Sequence, residues 1–319
     1  MKKRSTWRKN LLKNRKLIAI PMISVAMIVL VSVVSFTFFQ TPSRFSLNAA
    51  IVDQLEEHFQ NTTFVETATN ILNNAGFNTT YYESKAVNIT FYGELAKKDY
   101  GIILLRSHSA LRYDNSTVDL FTSEIFNNQS YRQMWADGYL AEGKYLFEQN
   151  SNTTYFAVTS KFIENLEGTF PRSIVIAMGC WGLKPETDQM AQAFLDKGAE
   201  AYIGWTNIIL PKDTDRETIN LLQMLVNQDK PIAQAVSQTR TYTYAAENNV
   251  TAQTRMTYLP YRNANLTLSK LIASARSSEK TTFLSSFQSA ISLIAKPVPR
   301  LRDLFSETTR LASQAADSA

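Results

Sequence analysis

The sequence predicts an α/β protein with a mainly parallel central sheet, preceded by one N-terminal transmembrane helix. Short, continuously apolar runs recur along residues 48–247, and segments with helical periodicity separate them. This alternation is typical of parallel strands whose two faces are both covered by helices. An uncharged run of 23 residues near the N-terminus predicts the membrane helix.

Each element of the sheet is predicted from its apolar pattern. Strands are predicted at the apolar runs Ala49–Leu55, Gly101–Arg106, Ser173–Met178 and Ala201–Trp205, and at the more polar Phe77–Glu83. Helices are predicted where apolar residues recur every three or four positions: Val65–Ala75, Asn88–Lys98, Glu186–Lys197, Thr214–Asn227 and Pro231–Tyr244. Gly76 and Gly198 follow two of these helices, in the place where a glycine commonly ends a helix.

Leu17–Phe39 is predicted to be an uncleaved membrane anchor. A helix of this length rises about 35 Å, which is enough to cross a hydrocarbon core of roughly 30 Å. Residues 1–16 carry eight Lys and Arg and no acidic residue, and such a flank favours the cytoplasmic side. We therefore predict a single-pass cell-membrane protein with a cytoplasmic tail, a tether at 40–47 and an extracytoplasmic domain. The alternative is a cleaved signal peptide, whose apolar core is normally only ~7–15 residues.

The composition excludes several classes of function. The net charge of +5 comes from the tail, because the other residues carry 25 Lys and Arg against 28 Asp and Glu. Nucleic-acid binding therefore has no support. One cysteine allows neither an intramolecular disulfide nor a thiolate-based structural zinc site. His58, one of only two histidines, is predicted to be a solvated surface residue.

Acceptor sequons for N-glycosylation agree with an exterior domain. Asn-x-Ser/Thr occurs eight times, always beyond the predicted anchor: Asn61, Asn78, Asn88, Asn115, Asn128, Asn152, Asn249 and Asn265. We expect glycans on some of these sites, since such acceptors are used in the surface loops of secreted proteins.

Residues 110–171 are predicted to be an insertion beside the sheet. Tyr139–Phe147 and Thr154–Thr159 are predicted to form its β-hairpin. The aromatic residues of the hairpin are predicted to pack on the domain, with contact to a substrate as the alternative. They are Tyr139, Tyr145, Phe147, Tyr155 and Phe156. Residues 248–319 are predicted to be a helical extension, with amphipathic stretches at Leu266–Ala275, Phe283–Ala295 and Leu301–Ala312.

Two residues with useful chemistry follow predicted buried strands. His108 follows Gly101–Arg106, and Cys180 follows Ser173–Met178. Ligands bind at the carboxyl edge of open α/β sheets, so two neighbouring strands would bring imidazole and thiol to one crevice. The expected result is a thiolate–imidazolium pair with a nucleophilic sulfur, while the N–H groups of Ser109 and Cys180 hold an oxyanion. The alternative is that Cys180 is an inert, buried small hydrophobe.

These motifs resemble those of the caspase-like cysteine peptidases, the group that includes caspases, gingipains, legumains and the separase-related CHAT domains. In that group one strand ends in His-Gly and a later strand ends in Ala-Cys. The corresponding dipeptides here are His108-Ser109 and Gly179-Cys180. Residues 190–205 are similar to the helix and strand that follow the cysteine in CHAT and gingipain-like members.

The sequence departs from the pattern of the group at two places. The caspase motif Gln-Ala-Cys-x-Gly reads Met-Gly-Cys-Trp-Gly over Met178–Gly182, so aspartate specificity is not carried over. Ser109 stands where the group has glycine. Its backbone N–H is retained, but its side chain would narrow the oxyanion pocket.

The resemblance implies a caspase-like three-layer α/β/α domain over residues 48–247. It also implies a hydrolase acting on a protein or peptide, with Cys180 as nucleophile and His108 as base. This chemistry requires no metal or organic cofactor, although some relatives use calcium. A specificity pocket built from strand ends would include Asp53 and Trp205, and Asp53 would favour a basic P1 residue. The alternative for Asp53 is a role in capping or turning the chain.

Two other functions remain open from the sequence. One is a catalytically inactive caspase-like surface module that binds a peptide or protein partner. The other is an α/β sensor domain in which Cys180 has no chemical role.

Overall fold

The computed structural model describes residues 44–113, 116–145, 152–245 and 251–275. The predicted tail 1–16, the anchor Leu17–Phe39 and the helices Phe283–Ala295 and Leu301–Ala312 lie outside the described residues. Within the described part of the chain, no helix combines the length and the apolar character that a membrane span requires.

The elements follow one another in the order that the apolar pattern predicts, with several additions. The strands are β1 Asn48–Asp53, β2 Asn78–Tyr82, β3 Ile102–Arg106, β4 Ser109–Leu111, β5 Val118–Ile125, β6 Leu140–Gly143, β7 Tyr155–Val158, β8 Ile174–Ala177, β9 Ala201–Trp205, β10 Tyr242–Ala245, β11 Thr251–Thr254 and β12 Met256–Leu259. The helices are α1 Thr62–Asn74, α2 Ile89–Leu95, α3 Arg132–Ala136, α4 Ser160–Glu164, α5 Gln189–Asp196, α6 Pro211–Leu222 and α7 Ile232–Ser237. A π-helical turn, Gln223–Asn227, continues α6, and residues 268–275 are helical.

The central sheet confirms the predicted mainly parallel arrangement. Its strand order is β12-β9-β8-β3-β1-β2. All neighbouring pairs from β9 to β2 are parallel, and β12 pairs with β9 in the antiparallel direction. The carboxyl ends of the parallel strands therefore share one edge of the sheet, which is the edge where the candidate residues follow β3 and β8.

Helices cover both faces of this sheet. Side chains alternate along a strand, so Val52 and Leu105 pack on one side with α2, α4 and α5. Ile51 and Leu104 pack on the other side with α1, α6 and α7. The strand β3 is buried at every position, which explains why it reads as a continuous apolar run rather than as an alternation.

A second, antiparallel sheet lies within the predicted insertion, with the order β4-β5-β7-β6. The predicted hairpin is confirmed, because β6 pairs antiparallel with β7 from Leu140↔Val158 to Gly143↔Tyr155. The strands β4 and β5 were not predicted. The strand β4 has only three residues, which is too short for an apolar pattern to be recognised.

Two predictions about the C-terminal part are wrong. Pro231–Tyr244 is not one helix, since α7 ends at Ser237 and β10 begins at Tyr242. The domain does not end at residue 247, because β12 completes the central sheet beside β9. Tyr-Thr-Tyr at the start of β10 consists of residues that favour strands, and this local preference overrides the helical spacing of the preceding residues.

Candidate active site

His108 and Cys180 follow neighbouring strands at equivalent positions. In the parallel register of β3 and β8, Leu105 is the partner of Ala177. The N–H of Met178 donates to the carbonyl oxygen of Leu105 at 2.9 Å, which extends this pairing by one residue. His108 and Cys180 each lie three residues beyond the pair, so both loops leave the same edge side by side.

The two loops pack against each other without an intervening side chain at Gly179. A Cβ at this position would lie 2.3 Å from Oγ of Ser109 and 2.4 Å from the carbonyl oxygen of Ser107. The Ser109 hydroxyl donates to the carbonyl oxygen of Cys180 at 2.5 Å. Ser109, expected to narrow an oxyanion pocket, therefore holds the peptide group that carries the thiol.

The Cys180 thiol lies against the loop between β9 and α6. Its Sγ is 3.4 Å from the backbone nitrogen of Ile209, which donates to it, and 3.5 Å from the carbonyl oxygen of Ile209. Burial raises the pKa of the Cys180 thiol, while the N–H of Ile209 acts in the opposite direction. Ile209 comes just before the N-terminus of α6, whose dipole favours a negative charge nearby. The resting thiol is therefore protonated, because burial outweighs the opposing effect of the Ile209 N–H.

The His108 imidazole lies among aromatic rings. Ring centroids are 4.6 Å away for Tyr145, 5.8 Å for Phe59 and 6.2 Å for Phe121. Burial lowers the pKa of His108 to about 4, and positive charge on His58 and Arg106 acts in the same direction. The expected thiolate–imidazolium pair is therefore not the resting state. A neutral imidazole has the protonation state that a general base requires, but a pKa of about 4 makes it a weak base at neutral pH.

Gln54 fixes the loop of His108 and was not recognised from the sequence. It follows β1 directly and is 1% exposed. Its Oε1 accepts from the backbone N–H of His108 at 2.9 Å, and its Nε2 donates to the Tyr145 hydroxyl at 2.5 Å. A lone glutamine after a strand carries no recognisable motif, and its partner Tyr145 lies 91 positions further along the chain.

The backbones of the candidate pair come together, but the side chains contact different groups. The sulfur of Cys180 is directed to Ile209, whereas the ring of His108 lies closest to Tyr145, with the two ring planes tilted by 40°. His58 is half-buried rather than a solvated surface residue, with its ring centroid 5.3 Å from that of Tyr145. Among the described residues, no group of three or more His, Cys, Asp or Glu could hold a metal ion.

Asp53 and Trp205, the residues expected in a specificity pocket, are both buried. Asp53 is 1% exposed and forms an ion pair with Arg106 at 2.5 Å. Burial raises the pKa of Asp53, and the Arg106 charge opposes this. Trp205 is 0% exposed, and its Nε1 donates to Oγ1 of Thr214 at 2.9 Å. Asp53 is thus the partner of a buried arginine, and Trp205 is a core residue.

An open groove of about 850 Å³ lies beside the candidate pair. Side chains of β4, β5, β6 and β7 line it together with Trp181, the residue after Cys180. Trp181 has a φ of 52°, a left-handed conformation that is uncommon outside glycine. Sequence reasoning missed this groove because two of its four strands were not predicted.

Comparison with models of known protein families gives no match. A search of curated proteins also gives no significant match.

The predicted sequons fall into two structural groups. Asn61 and Asn88 cap α1 and α2, and their Oδ1 atoms accept from Phe64 N and Phe91 N. Exposed acceptors are Asn78, Asn128, Asn152 and Asn265. Asn115 and Asn249 lie outside the described residues.

Proposed function

We propose that the chain is a caspase-like cysteine peptidase that acts on a protein or peptide through Cys180 and His108. The observation that supports it most is the shared offset of the two residues from the paired Leu105 and Ala177. This register brings the only cysteine and one of two histidines to adjacent strand ends, at the edge of an α/β sheet where ligands bind.

In the proposed reaction, neutral His108 removes the proton from the Cys180 thiol, and the sulfur attacks the peptide carbonyl carbon. The N–H groups of Ser109 and Cys180 hold the oxyanion. The imidazolium then protonates the leaving amine, which leaves an acyl group on sulfur. His108 next removes a proton from water, and the hydroxide attacks the acyl carbon. The C–S bond then breaks, the acid leaves, and the thiolate takes the proton back from His108.

The first step requires the thiol to leave Ile209. In the described arrangement both hydrogen bonds of Sγ involve the backbone of this residue. A change of the Cys180 side-chain torsion moves the sulfur without displacing the loop, because the carbonyl oxygen of Cys180 stays bonded to Ser109. The resting thiol is protonated because burial raises its pKa, and we propose that substrate binding moves it toward His108.

The catalytically inactive surface module is the second candidate, and the contact between the thiol and Ile209 favours it. A module of this kind binds a peptide at the same edge without transferring its acyl group. It needs neither a mobile Cys180 side chain nor a basic imidazole.

Alkylation of the only cysteine separates these two functions. A peptidyl acyloxymethyl ketone requires an active site, whereas iodoacetamide needs only an accessible thiol. Intact-mass analysis of the full chain in detergent should show that His108→Gln lowers the ketone rate at least 10-fold and changes the iodoacetamide rate much less. Cys180→Ala should remove both reactions, and His58→Gln serves as the matched control. If His108→Gln lowered the rates of alkylation by the ketone and by iodoacetamide by the same factor, the result would favour the inactive module.

We further propose the topology that the sequence predicts, with Leu17–Phe39 as anchor and the described domain outside the cell membrane. The exposed acceptors Asn78, Asn128, Asn152 and Asn265 support this topology. Protease treatment of intact cells should degrade the domain while leaving the N-terminal tail protected, and protection of the domain would contradict the topology.

A further inference from the structure

The groove beside Trp181 points to a specificity for peptide substrates. We infer that it is a subsite for a large, uncharged side chain of the substrate, aromatic or branched aliphatic, and that it disfavours Lys, Arg, Asp and Glu. This inference rests on the proposed function, because it assigns a substrate class to the same site.

The groove lining includes neighbours of both members of the candidate pair, although it contains neither His108 nor Cys180. Trp181 lines it and follows Cys180 directly, and its N–H donates to the carbonyl oxygen of Asn207 at 3.1 Å. Tyr145 and Phe121 also line it, and they are the rings packed against His108 at 4.6 and 6.2 Å. In the proposed complex, a peptide whose carbonyl carbon is attacked by the sulfur would extend a neighbouring side chain past Trp181 into this space.

The floor of the groove consists of small residues. Ala110, Ala141, Ala157 and Gly143 contribute to its lining. Gly143 is closely covered, because a Cβ there would lie 2.3 Å from the ring of Phe121. The Phe121 ring thus fills the space over Gly143. The groove volume of about 850 Å³ is that of a whole ligand site, roughly 300–1,000 Å³, and exceeds what one large side chain needs.

The charged groups of the lining cancel. Arg112 binds Asp119 through two hydrogen bonds of 2.7 and 3.0 Å. Glu142 accepts from Thr154 at 2.8 Å and lies on the same strand–loop segment as Lys144. The lining thus contains two cationic and two anionic side chains. A charged substrate side chain would lose water without gaining a net opposite charge, and this is unfavourable.

The structure also removes the sequence argument for a basic P1 residue. A basic P1 residue would need a free carboxylate in the groove. The Asp53 carboxylate lies outside the groove lining and binds buried Arg106. Aromatic groups, in contrast, gain both burial and ring contacts with Trp181 and Tyr145. The uncharged side chain is therefore the occupant that the groove fits best.

Peptide binding by the full-length Cys180→Ala protein tests the inference without requiring cleavage. The probes are alanine hexapeptides, blocked at both ends, with one Phe, Leu, Lys or Glu at each position in turn. At the best position, Phe and Leu should bind at least 10-fold more tightly than Lys and Glu, the scale on which apolar pockets discriminate. Ala141→Phe fills the groove and should remove this preference, and Trp181→Ala should weaken it. The exposed Ala136→Phe on α3 is the matched control.

Cleavage of the same peptides by the wild-type chain separates failure of this inference from failure of the proposed function. Preferential binding of Phe peptides without any cleavage would contradict the peptidase and leave the subsite intact. Cleavage that is equally fast beside Lys and Phe would overturn the subsite and leave the peptidase intact. Absence of peptide binding by a variant whose circular dichroism matches the wild type would also overturn the subsite.

Discussion

Ser109 donates its side-chain hydrogen bond to the carbonyl oxygen of Cys180. This bond joins the loop after β3 to the loop after β8, and Gly179 lies at the point where the two backbones meet. The positions of His108 and Cys180 are therefore set by a single packed unit of backbone. Changes to that unit should alter both loops together.

Gly179→Ala should destabilise the protein, because its methyl group would overlap Oγ of Ser109 and the carbonyl oxygen of Ser107. Forcing extra atoms into a packed site typically costs about 1–3 kcal/mol of unfolding free energy. Gly93→Ala is the matched control. Gly93 lies within α2 with no atom near the added Cβ, so alanine should stabilise it by about 0.5–1 kcal/mol. Urea unfolding measures the stability of both variants. Similar unfolding midpoints for Gly179→Ala and Gly93→Ala would contradict the described packing of the loops.

Glycosylation should follow the exposure of the asparagine side chains. Exposed Asn78 and Asn265 should be occupied when the protein is made in a glycosylating host. Asn61 should remain unmodified, because its Nδ2 donates to Oδ2 of Asp215 at 2.9 Å while its Oδ1 caps α1. Glycopeptide mapping measures occupancy at each site. A glycan at Asn61 would contradict its described contacts, and an entirely unmodified domain would remove the support for an exterior location.

The strands and helices of the sheet region could be predicted largely from sequence, because apolar runs and helix caps depend on residues that are close together in the chain. Buried parallel strands such as β3 are continuously apolar, and Asn88 precedes its helix as a typical cap. The edge carrying His108 and Cys180 follows from the strand ends alone. Their neighbour relationship, in contrast, depends on strand order, which is set by packing across the whole domain.

The surroundings of the site could not be predicted because they depend on contacts between distant residues. Gln54 binds Tyr145 across 91 positions, and Arg106 binds Asp215 across 109 positions. From sequence, Asp53 after β1 could equally be a substrate ligand or a structural residue. Only the placement of Arg106 beside it distinguishes the two, since a carboxylate paired in the core is held by its partner.

Arg106→Met should destabilise the fold strongly. Arg106 is 0% exposed and binds both Asp53 and Asp215, so methionine would leave two buried carboxylates without their cation. Removing one member of a buried ion pair typically costs about 3–5 kcal/mol. Lys97→Met is the control. Lys97 pairs with Glu94 and Glu167 at the surface, and exposed pairs contribute little to stability. Urea denaturation should separate the two variants, and equal losses would contradict the buried network.

Stability should fall between neutral pH and pH 5 because of His108. Its pKa in the folded protein is about 4, below the ordinary value of 6.5, mainly because it is buried. As the pH falls below the ordinary value, the unfolded chain binds a proton that the folded protein does not. The unfolded state is then favoured, by about 2 kcal/mol at pH 5. The difference continues to grow until the pH reaches the folded value.

The His108→Gln variant isolates this contribution from every other titrating group. Urea unfolding at pH 7 and pH 5 gives a stability change for each protein, and the wild type should lose about 2 kcal/mol more than His108→Gln on acidification. His58→Gln keeps His108 and should therefore retain a pH-dependent loss. Equal losses in the wild type and His108→Gln would mean that the imidazole is not held neutral among Tyr145, Phe59 and Phe121. In that case His108 would not be the neutral base with which the proposed reaction begins.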